Sequence, residues 1–366
     1  MYAIRTLKSQ PLRLALTIGG VSLCVILMFF LISVYRGVAD GSVEYIRKNT
    51  TDLWMLQCNA TNILRGTSLL SAGQGERVRA ITGVESVSPV LFVLAAIHNG
   101  EKHRTVFLTG YQPENDMGGP PHLVEGRSIQ SDNEIVLDKS LAAKFKLNVG
   151  DRVDIQEHSL EIVGISGGTN AFVIQYAFVS LRLAREIIGF PGIVTCYMIK
   201  LETGYSLREV ADEIRSHLSG VEVYDHETFL KNNIYEMESG FLPLLYTVAV
   251  IGAVVLTLIL SLLLSVNILE KRKDFVVFKT LGSPKGFLGR LIIAQAMLIS
   301  TSACIVGLIV FFCLVRLIEK ISPEVSTKST VGQILVVVAV AEIMSLISSF
   351  LSMRKLRRIY LMEAFL

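Results

Sequence analysis

One run of residues has the spacing of a hydrolase nucleophile: Gly164-Ile165-Ser166-Gly167-Gly168 matches G-x-S-x-G. That chemistry needs a strand feeding a helix through a strained turn, which exposes the serine hydroxyl beside a base. Here LEIVGI is followed by SGGTNAFVIQYAFVSL, which reads as strand, glycine turn, strand. The motif therefore predicts a turn or hairpin, with a membrane-anchored enzyme using Ser166 as the competing reading. The six histidines are scattered, His98 with His103 and His217 with His226 being the nearest pairs. HExxH is missing too, so no zinc ligand set stands out. The dipeptide Gly-Lys occurs nowhere, so the chain carries no P-loop of its own. No cofactor or metal site is expected.

A second chemical feature is Glu342, the one ionisable residue well inside an apolar run. A carboxylate near a bilayer centre costs about 2.5–3.5 kcal/mol on insertion scales, which the surrounding Val, Leu, Ile and Phe offset. Glu342, Ser345, Ser349 and Ser352 fall at i, i+3, i+7 and i+10, one face of a helix. Such a stripe avoids lipid, and serves either hydrogen bonding between helices or gating and substrate passage. Five cysteines add little. Cys24, Cys304 and Cys313 sit in apolar runs as small fillers. Cys58 and Cys196 are the two in the polar region, where a disulfide between them is chemically allowed; spacing alone does not bring their Cα atoms together.

The elements that must position these groups are mostly membrane helices. Residues 14–35 hold no charge, and further apolar runs occupy 241–268, 291–318 and 331–353. About 20 such residues span a bilayer core. Composition agrees, at 51% hydrophobic and 18% charged residues. The first run is too long for a cleavable signal core and lacks a small-x-small site after Tyr35, so it reads as a retained helix. The fold class expected is a membrane α-helical protein of four transmembrane helices, arranged 1+3, with a large α+β extracytoplasmic domain between helices 1 and 2. The segments are 1–36 for the N-terminus and helix 1, 37–240 for the outer domain, 241–268 for helix 2 and 269–290 for a cytoplasmic loop. Then come 291–318 for helix 3, 319–330 for a short outer loop, 331–353 for helix 4 and 354–366 for the tail.

Charge sets the orientation. Residues 37–240 hold 18 Lys+Arg against 26 Asp+Glu, a balance of −8, whereas the near-helix segments of the opposite face hold 13 cations against 3 acids. Cationic loops stay in the cytoplasm. Both termini and 269–290 therefore face inward at the cell's inner membrane, and no basic patch points to nucleic acid.

Within 37–240 two stretches look alike. DLWMLQCNA, helical GERVRAI, Gly83-Val84 and SVSPVLFVLAAI match VTCYMIKLE, helical SLREVADEIRSHL, Gly220-Val221 and EVYDHE. Each reads strand, helix, glycine stop, strand, and two such halves predict one mixed sheet with helices on one face. Residues 122–180 are richer in short strands and predict an inserted β-rich subdomain. Leu230, Ile234, Met237 and Phe241 share a helix face leading into the second apolar run, and Val38, Val43 and Ile46 extend the first run outward. These flanks either form a rigid stalk or pack only on their own domain.

The cytoplasmic loop, LEKRKDFVVFKTLGSPKGFLGR, carries the most specific pattern. Glu270 to Leu281 is helix-competent, Gly282 suits a left-handed stop, and Ser283-Pro284 suits the start of the next helix. A short surface helix results, with Phe275 and Phe278 three apart among cations. It either lies on anionic lipid or plugs a groove on a soluble partner.

The order of features resembles FtsX/MacB-type ABC transporter permeases. Their coupling segment, roughly R-x-x-E-I-x-x-x-[KR]-x-L-G-[AS], is similar to the run ending Lys279-Thr280-Leu281-Gly282-Ser283. AIRTLKSQPLRLALTIGGVSL is similar to the family's N-terminal signature, NEIVLDKSLAAKFKLNVGDRVDI with LEIVGI to its periplasmic core, and MRKLRRIYLMEAF to its tail. The family's frequent Glu stands here as Asp274, and the DF-x-x-x-K-x-L-G run is similar to the DevC-like subgroup, which works with a periplasmic adaptor. The resemblance implies a non-enzymatic permease with ATP and Mg held by a separate cytoplasmic ABC ATPase. That ATPase would dock on Lys271, Arg272, Asp274, Phe275, Phe278, Lys279, Leu281 and Gly282. It implies a second permease copy, a homodimer in the first instance, a periplasmic adaptor (membrane fusion protein) and an outer-membrane channel. The function implied is export of an amphiphile by mechanotransmission; the alternative is an FtsX-like regulator of an outer hydrolase or sensor.

Overall fold

Apolar runs and strand repeats sort the chain into two units: Met1–Tyr35 with Pro243–Ile318 and Thr327–Leu366, and Arg36–Leu242 with Glu319–Ser326. The computed structural model describes residues 11–63, 66–115, 117–170, 174–270, 287–321 and 330–363.

Four long helices serve the first unit. They are the helix Pro11–Lys48 (α1), the helix His226–Glu270, the helix Phe287–Ile321 and the helix Val331–Glu363. Among the described residues three stretches are long and apolar enough to cross a bilayer, Leu14–Gly41, Gly289–Ile321 and Val331–Met353, while Tyr246–Leu262 is a shorter apolar stretch. Val21, Val25 and Phe29 pack with Leu256, Leu260, Ile299, Phe311 and Val337 in one buried cluster. Gly307 lets α1 come close, since a Cβ there would lie 3.2 Å from Val25 Cγ1.

The second unit is built on a sheet. In chain order it holds β1 (Leu53–Gln57), β2 (Leu70–Ser71), α2 (Gln74–Arg79), β3 (Val84–Asn99), β4 (Lys102–Tyr111), β5 (Leu123–Gly126) and β6 (Glu134–Asp138). There follow α3 (Lys139–Phe145), β7 (Arg152–Ile155), β8 (His158–Ser166), β9 (Tyr176–Ser180), α4 (Leu181–Ile188), β10 (Ile193–Val194), β11 (Cys196–Leu201), α5 (Leu207–His217) and β12 (Val221–Asp225). The helix His226–Glu270 is then α6, Phe287–Ile321 is α7, and Val331–Glu363 is α8.

Ten strands share one sheet in the order β12-β1-β11-β3-β4-β9-β6-β8-β5, with β7 set against β3 and β8. The two strand–helix–strand repeats interleave, since β1 lies between β11 and β12, and β11 lies between β1 and β3. β3 is 16 residues long. Its first half pairs with β11 and its second half with β4, so one strand carries the sheet from the repeats into the 122–180 segment. That segment adds β5 to β9 to the same sheet, joined by the parallel β4–β9 pair.

Each face of the sheet has its own core. One is filled by the short helices, through Val78 of α2, Leu141 and Phe145 of α3, Ala184 and Ile187 of α4, and Val210 and Ile214 of α5. Local signals place these helices. The Asp138 carboxylate accepts from Ser140 N to start α3, Ser180 caps α4, and Gly189 ends α4 at a φ of 71°. The other core holds Trp54, Phe92, Phe107, Tyr111, Tyr176 and Phe178, closed by Tyr45 and Ile46 of α1 and Phe229 of α6. Tyr45 stacks on Tyr176 at 5.1 Å and meets Phe92 edge-on at 5.7 Å. Its hydroxyl donates to Gly118 O at 2.8 Å. Phe229 stacks on Trp54 at 4.6 Å. On α6 the inward positions are Phe229 and Asn233, whose Oδ1 accepts from Ile63 N at 3.2 Å; Leu230 and Ile234 are half-buried.

Arg127 ties the loop before β6 to its first residue, donating to both Glu134 carboxylate oxygens at 2.8 and 2.7 Å, and Gln130 N adds a third bond at 2.7 Å. The Arg127 hydrogen bonds hold the Glu134 carboxyl at about 2, against an ordinary 4.5. A lowered carboxyl stabilises the fold above the ordinary value, and that contribution is lost as pH falls from 4.5 towards 2.

Two outcomes follow for stability, both read by unfolding of the full chain. Tyr45→Ala costs about 3–5 kcal/mol, whereas Tyr45→Phe, which loses only the bond to Gly118 O, costs about 1 kcal/mol. Glu134→Gln costs about 1–2 kcal/mol at neutral pH, discounted for the solvent-exposed Arg127, and flattens the acid limb of the stability profile.

Candidate functional sites

Ser166 ends β8 and is fully buried. Its Oγ lies 2.7 Å from Thr169 Oγ1 and 3.3 Å from Leu137 O, to which it donates. Thr169 Oγ1 donates to Asp138 Oδ2 at 2.7 Å, and Asp138 Oδ1 accepts from Ser140 N at 2.8 Å and from the Ser140 hydroxyl. Burial pushes the Asp138 carboxyl upward. The glycines of the motif permit close backbone approach: a Cβ on Gly164 would lie 2.4 Å from Arg127 O, and Gly168 has a φ of +74°. A serine held between a threonine hydroxyl and the Leu137 carbonyl, with its hydroxyl inside the protein, holds a turn together and is not presented to a substrate.

The intramembrane stripe divides along its length. Thr301 Oγ1 of α7 donates to Glu342 Oε1 at 2.8 Å, while Glu342 Oε2 is buried without a protein partner. Ser345 Oγ also lacks a partner, and Ser349 Oγ turns back to Ser345 O at 2.8 Å. Ser352 reaches across to α6, donating to Ser261 O at 3.1 Å and lying 3.4 Å from Ser265 Oγ. The sequence pattern missed Thr301 and the fully buried Ser348. It also passed over Ser261 and Ser265, whose i, i+4 spacing on α6 was the available signal.

The remaining site residues fall elsewhere. Lys271, Arg272, Asp274, Phe275, Phe278, Lys279, Leu281 and Gly282 lie outside the described residues. Cys58 and Cys196 stand as free thiols in the structure, without the disulfide that their chemistry allows. Cys196 is buried in β11, where continuing the β1–β11 register sets it opposite Leu56, and Cys58 is exposed beyond the end of β1. Burial pushes the Cys196 thiol up, which makes it unreactive. His98 and His103 face each other across β3 and β4 with ring centroids 6.1 Å apart. Among the described residues no group of three His, Cys, Asp or Glu side chains is placed to hold a metal ion.

An α+β domain between an N-terminal apolar helix and three C-terminal helices is the layout of a membrane permease with a large extracytoplasmic domain. Residues 14–217 match the MacB-like periplasmic core domain and residues 246–361 match the FtsX-like permease C-terminal domain. The chain belongs to this FtsX/MacB-type family of ABC transporter permeases. It is similar to an uncharacterized ABC transporter permease of Mycobacterium tuberculosis (strain H37Rv), at 24% identity over 84% of this chain and 83% of that one. It is also similar to the lipoprotein-releasing system transmembrane protein LolE of Haemophilus influenzae, at 20% identity over 64% and 61% of the two chains. The periplasmic region of MacB from Actinobacillus actinomycetemcomitans aligns with 51% of this chain and 94% of its own length, at 15% identity and a TM-score of 0.41.

The stripe yields an ordered pair of outcomes for the full chain in detergent. Ser352→Ala, which cuts the link to α6, lowers stability by about 0.6–1.7 kcal/mol. Ser349→Ala, whose hydroxyl serves only its own helix, changes it by less than about 0.5 kcal/mol. Thermal unfolding of the two variants side by side checks this order.

Proposed function

We propose that this permease couples ATP hydrolysis by a separate cytoplasmic ATPase to export of an amphiphilic substrate, by mechanotransmission and without a wide channel. The reading rests on one observation. α1 and α6 each contribute to two cores, Val21, Val25 and Phe29 with Leu256 and Leu260 in the apolar cluster, and Tyr45 with Phe229 in the aromatic core of the sheet. A movement imposed on either helix therefore acts on the side chains that fill the outer domain.

In this mechanism the apolar stretch Tyr246–Leu262 of α6, at the short end of the spanning range, completes four crossings. Both termini and the 269–290 loop face the cytoplasm at the inner membrane. The ATPase, with its ATP and Mg, receives Phe275, Phe278 and Leu281 in a groove, with Lys271, Arg272 and Lys279 at the rim and Asp274 and Gly282 shaping the segment. Two permease copies sit on two ATPase copies, and a periplasmic adaptor continues the path to an outer-membrane channel, as in the DevC-like subgroup. Glu342 and its serine stripe keep the last three helices in register while the coupling loop moves. The name of the relative LolE puts lipoproteins among the amphiphiles to test as cargo.

Co-purification and ATPase assays in lipid test the docking. Phe275→Ala with Phe278→Ala loses the cognate ATPase or uncouples its activity, since truncating buried interface aromatics commonly costs about 2 kcal/mol or more, roughly thirtyfold in affinity. Lys271→Ala alone changes binding by less than about fivefold. An ATPase that binds and responds equally in the double variant contradicts the docking residues.

A further inference from the structure

The Gly164–Gly168 motif buries its serine, and the turn it opens lies close against α1. In the outer half of α1, Gly41 is buried, and a Cβ there would lie 2.5 Å from Asn170 O, well inside contact distance. One turn further on, Glu44 reaches Gly168, where a Cβ would lie 2.8 Å from the Glu44 carboxylate. Tyr45 then stacks on Tyr176, the first residue of β9. Gly41, Glu44 and Tyr45 stand at i, i+3 and i+4, so a single face of α1 is seated on the turn and on the strand that follows it.

The turn is held as firmly on its far side. Tyr176 N donates to Thr169 O at 3.0 Å, and Asn170 bridges back to Gln175. Ser166 is hydrogen-bonded to Thr169, and Thr169 donates to Asp138, which ends β6 and caps α3. Backbone contact against α1 thus continues through Thr169 and Asp138 into β6 and α3. Packed interiors transmit displacement along such contacts because they have little free volume to absorb it.

We propose that the Ser166–Asn170 turn is the receiver through which α1 acts on the outer domain, and that Gly41 is the positioning residue that makes the contact direct. The inference rests on the mechanotransmission reading. The helix presses backbone on backbone at Gly41, where no side chain can rotate away to absorb the displacement. Thr169 and Asp138 pass it to β6 and α3, and Tyr45 passes it to β9. This assigns the glycine-rich motif a mechanical role.

Hydrogen exchange on the full chain assembled with its ATPase in lipid nanodiscs, nucleotide-free against ATP–vanadate, tests it. The wild type shows a nucleotide-linked change in exchange at residues 166–180 and at 134–145. Gly41→Ala keeps the outer domain folded and basal ATP hydrolysis intact, and reduces the change at 166–180 by about fivefold or more. Thr169→Val, which leaves the α1 seat alone, keeps the change at 166–180 and loses it at 134–145. Retention of the full wild-type change in Gly41→Ala overturns the receiver, as does a wild-type change confined to other parts of 37–240; mechanotransmission survives both results. A wild type with no nucleotide-linked change anywhere in 37–240 overturns mechanotransmission itself.

Discussion

A ten-stranded sheet exposes two apolar faces, and each must be covered. Here the four short helices α2 to α5 cover one face. The other face is covered in part by loop residues such as Ile63, Met117 and Ile129, and is closed by Tyr45, Ile46 and Phe229, which belong to helices that also carry the apolar stretches Leu14–Gly41 and Tyr246–Leu262. The hydrophobic effect that folds the outer domain therefore requires the flanking helices as part of its core. An outer domain on a flexible Gly/Ser tether could fold by itself and would ignore what its anchors did. In this chain, that independence is removed by burying two anchor aromatics.

The same constraint explains why polar groups gather where they do. Gly118 O and Ile63 N would be stranded under the sheet without Tyr45 and Asn233 to satisfy them. In the membrane unit the hydroxyls of Thr301 and Ser352 serve neighbouring helices, while Ser349 serves its own. Each cross-helix bond is weak. Their value lies in register, because a helix displaced by one residue turns its serines towards lipid. Under the proposed mechanism a permease of this family must keep helix contacts defined while its coupling loop is pushed, and a stripe of short hydroxyls permits small slides with little change in packing.

Much of the fold was legible in the sequence, for reasons specific to each element. The two strand–helix–strand repeats announce themselves through Gly83 and Gly220, both in the left-handed region, and through β-branched runs on either side. Their interleaving was not legible, because strand order depends on pairing between segments more than 100 residues apart, such as Trp54 with Met198. Helical periodicity set Leu230 and Ile234 on one face of α6, and both are half-buried, while Phe229 and Asn233 beside them are fully buried. Aliphatic periodicity passes over the second pair, since a buried asparagine satisfying Ile63 N scores as polar in any such pattern. Ser166 shows the converse. Its spacing matches a catalytic motif, but the glycines that create the match are required by close backbone approach at Gly164 and by positive φ at Gly168. Glu342 was visible as a lone carboxylate, whereas its partner Thr301 is one unremarkable threonine in an apolar helix.

The most direct test of the account is a distance between the two outer domains of an assembled complex. Spin labels at Glu209→Cys, exposed on the helix α5, with the exposed Cys58 and Cys313 changed to serine, report that distance by electron double resonance without touching either core of the outer domain. With the ATPase bound, the distance distribution is expected to move by several ångströms, about 3–10, between the nucleotide-free and ATP–vanadate states. The movement disappears when Tyr45→Ala opens the aromatic core. A distribution that stays fixed while ATP is being hydrolysed would contradict the claim that α1 and α6 carry the work of the ATPase to the outer domain.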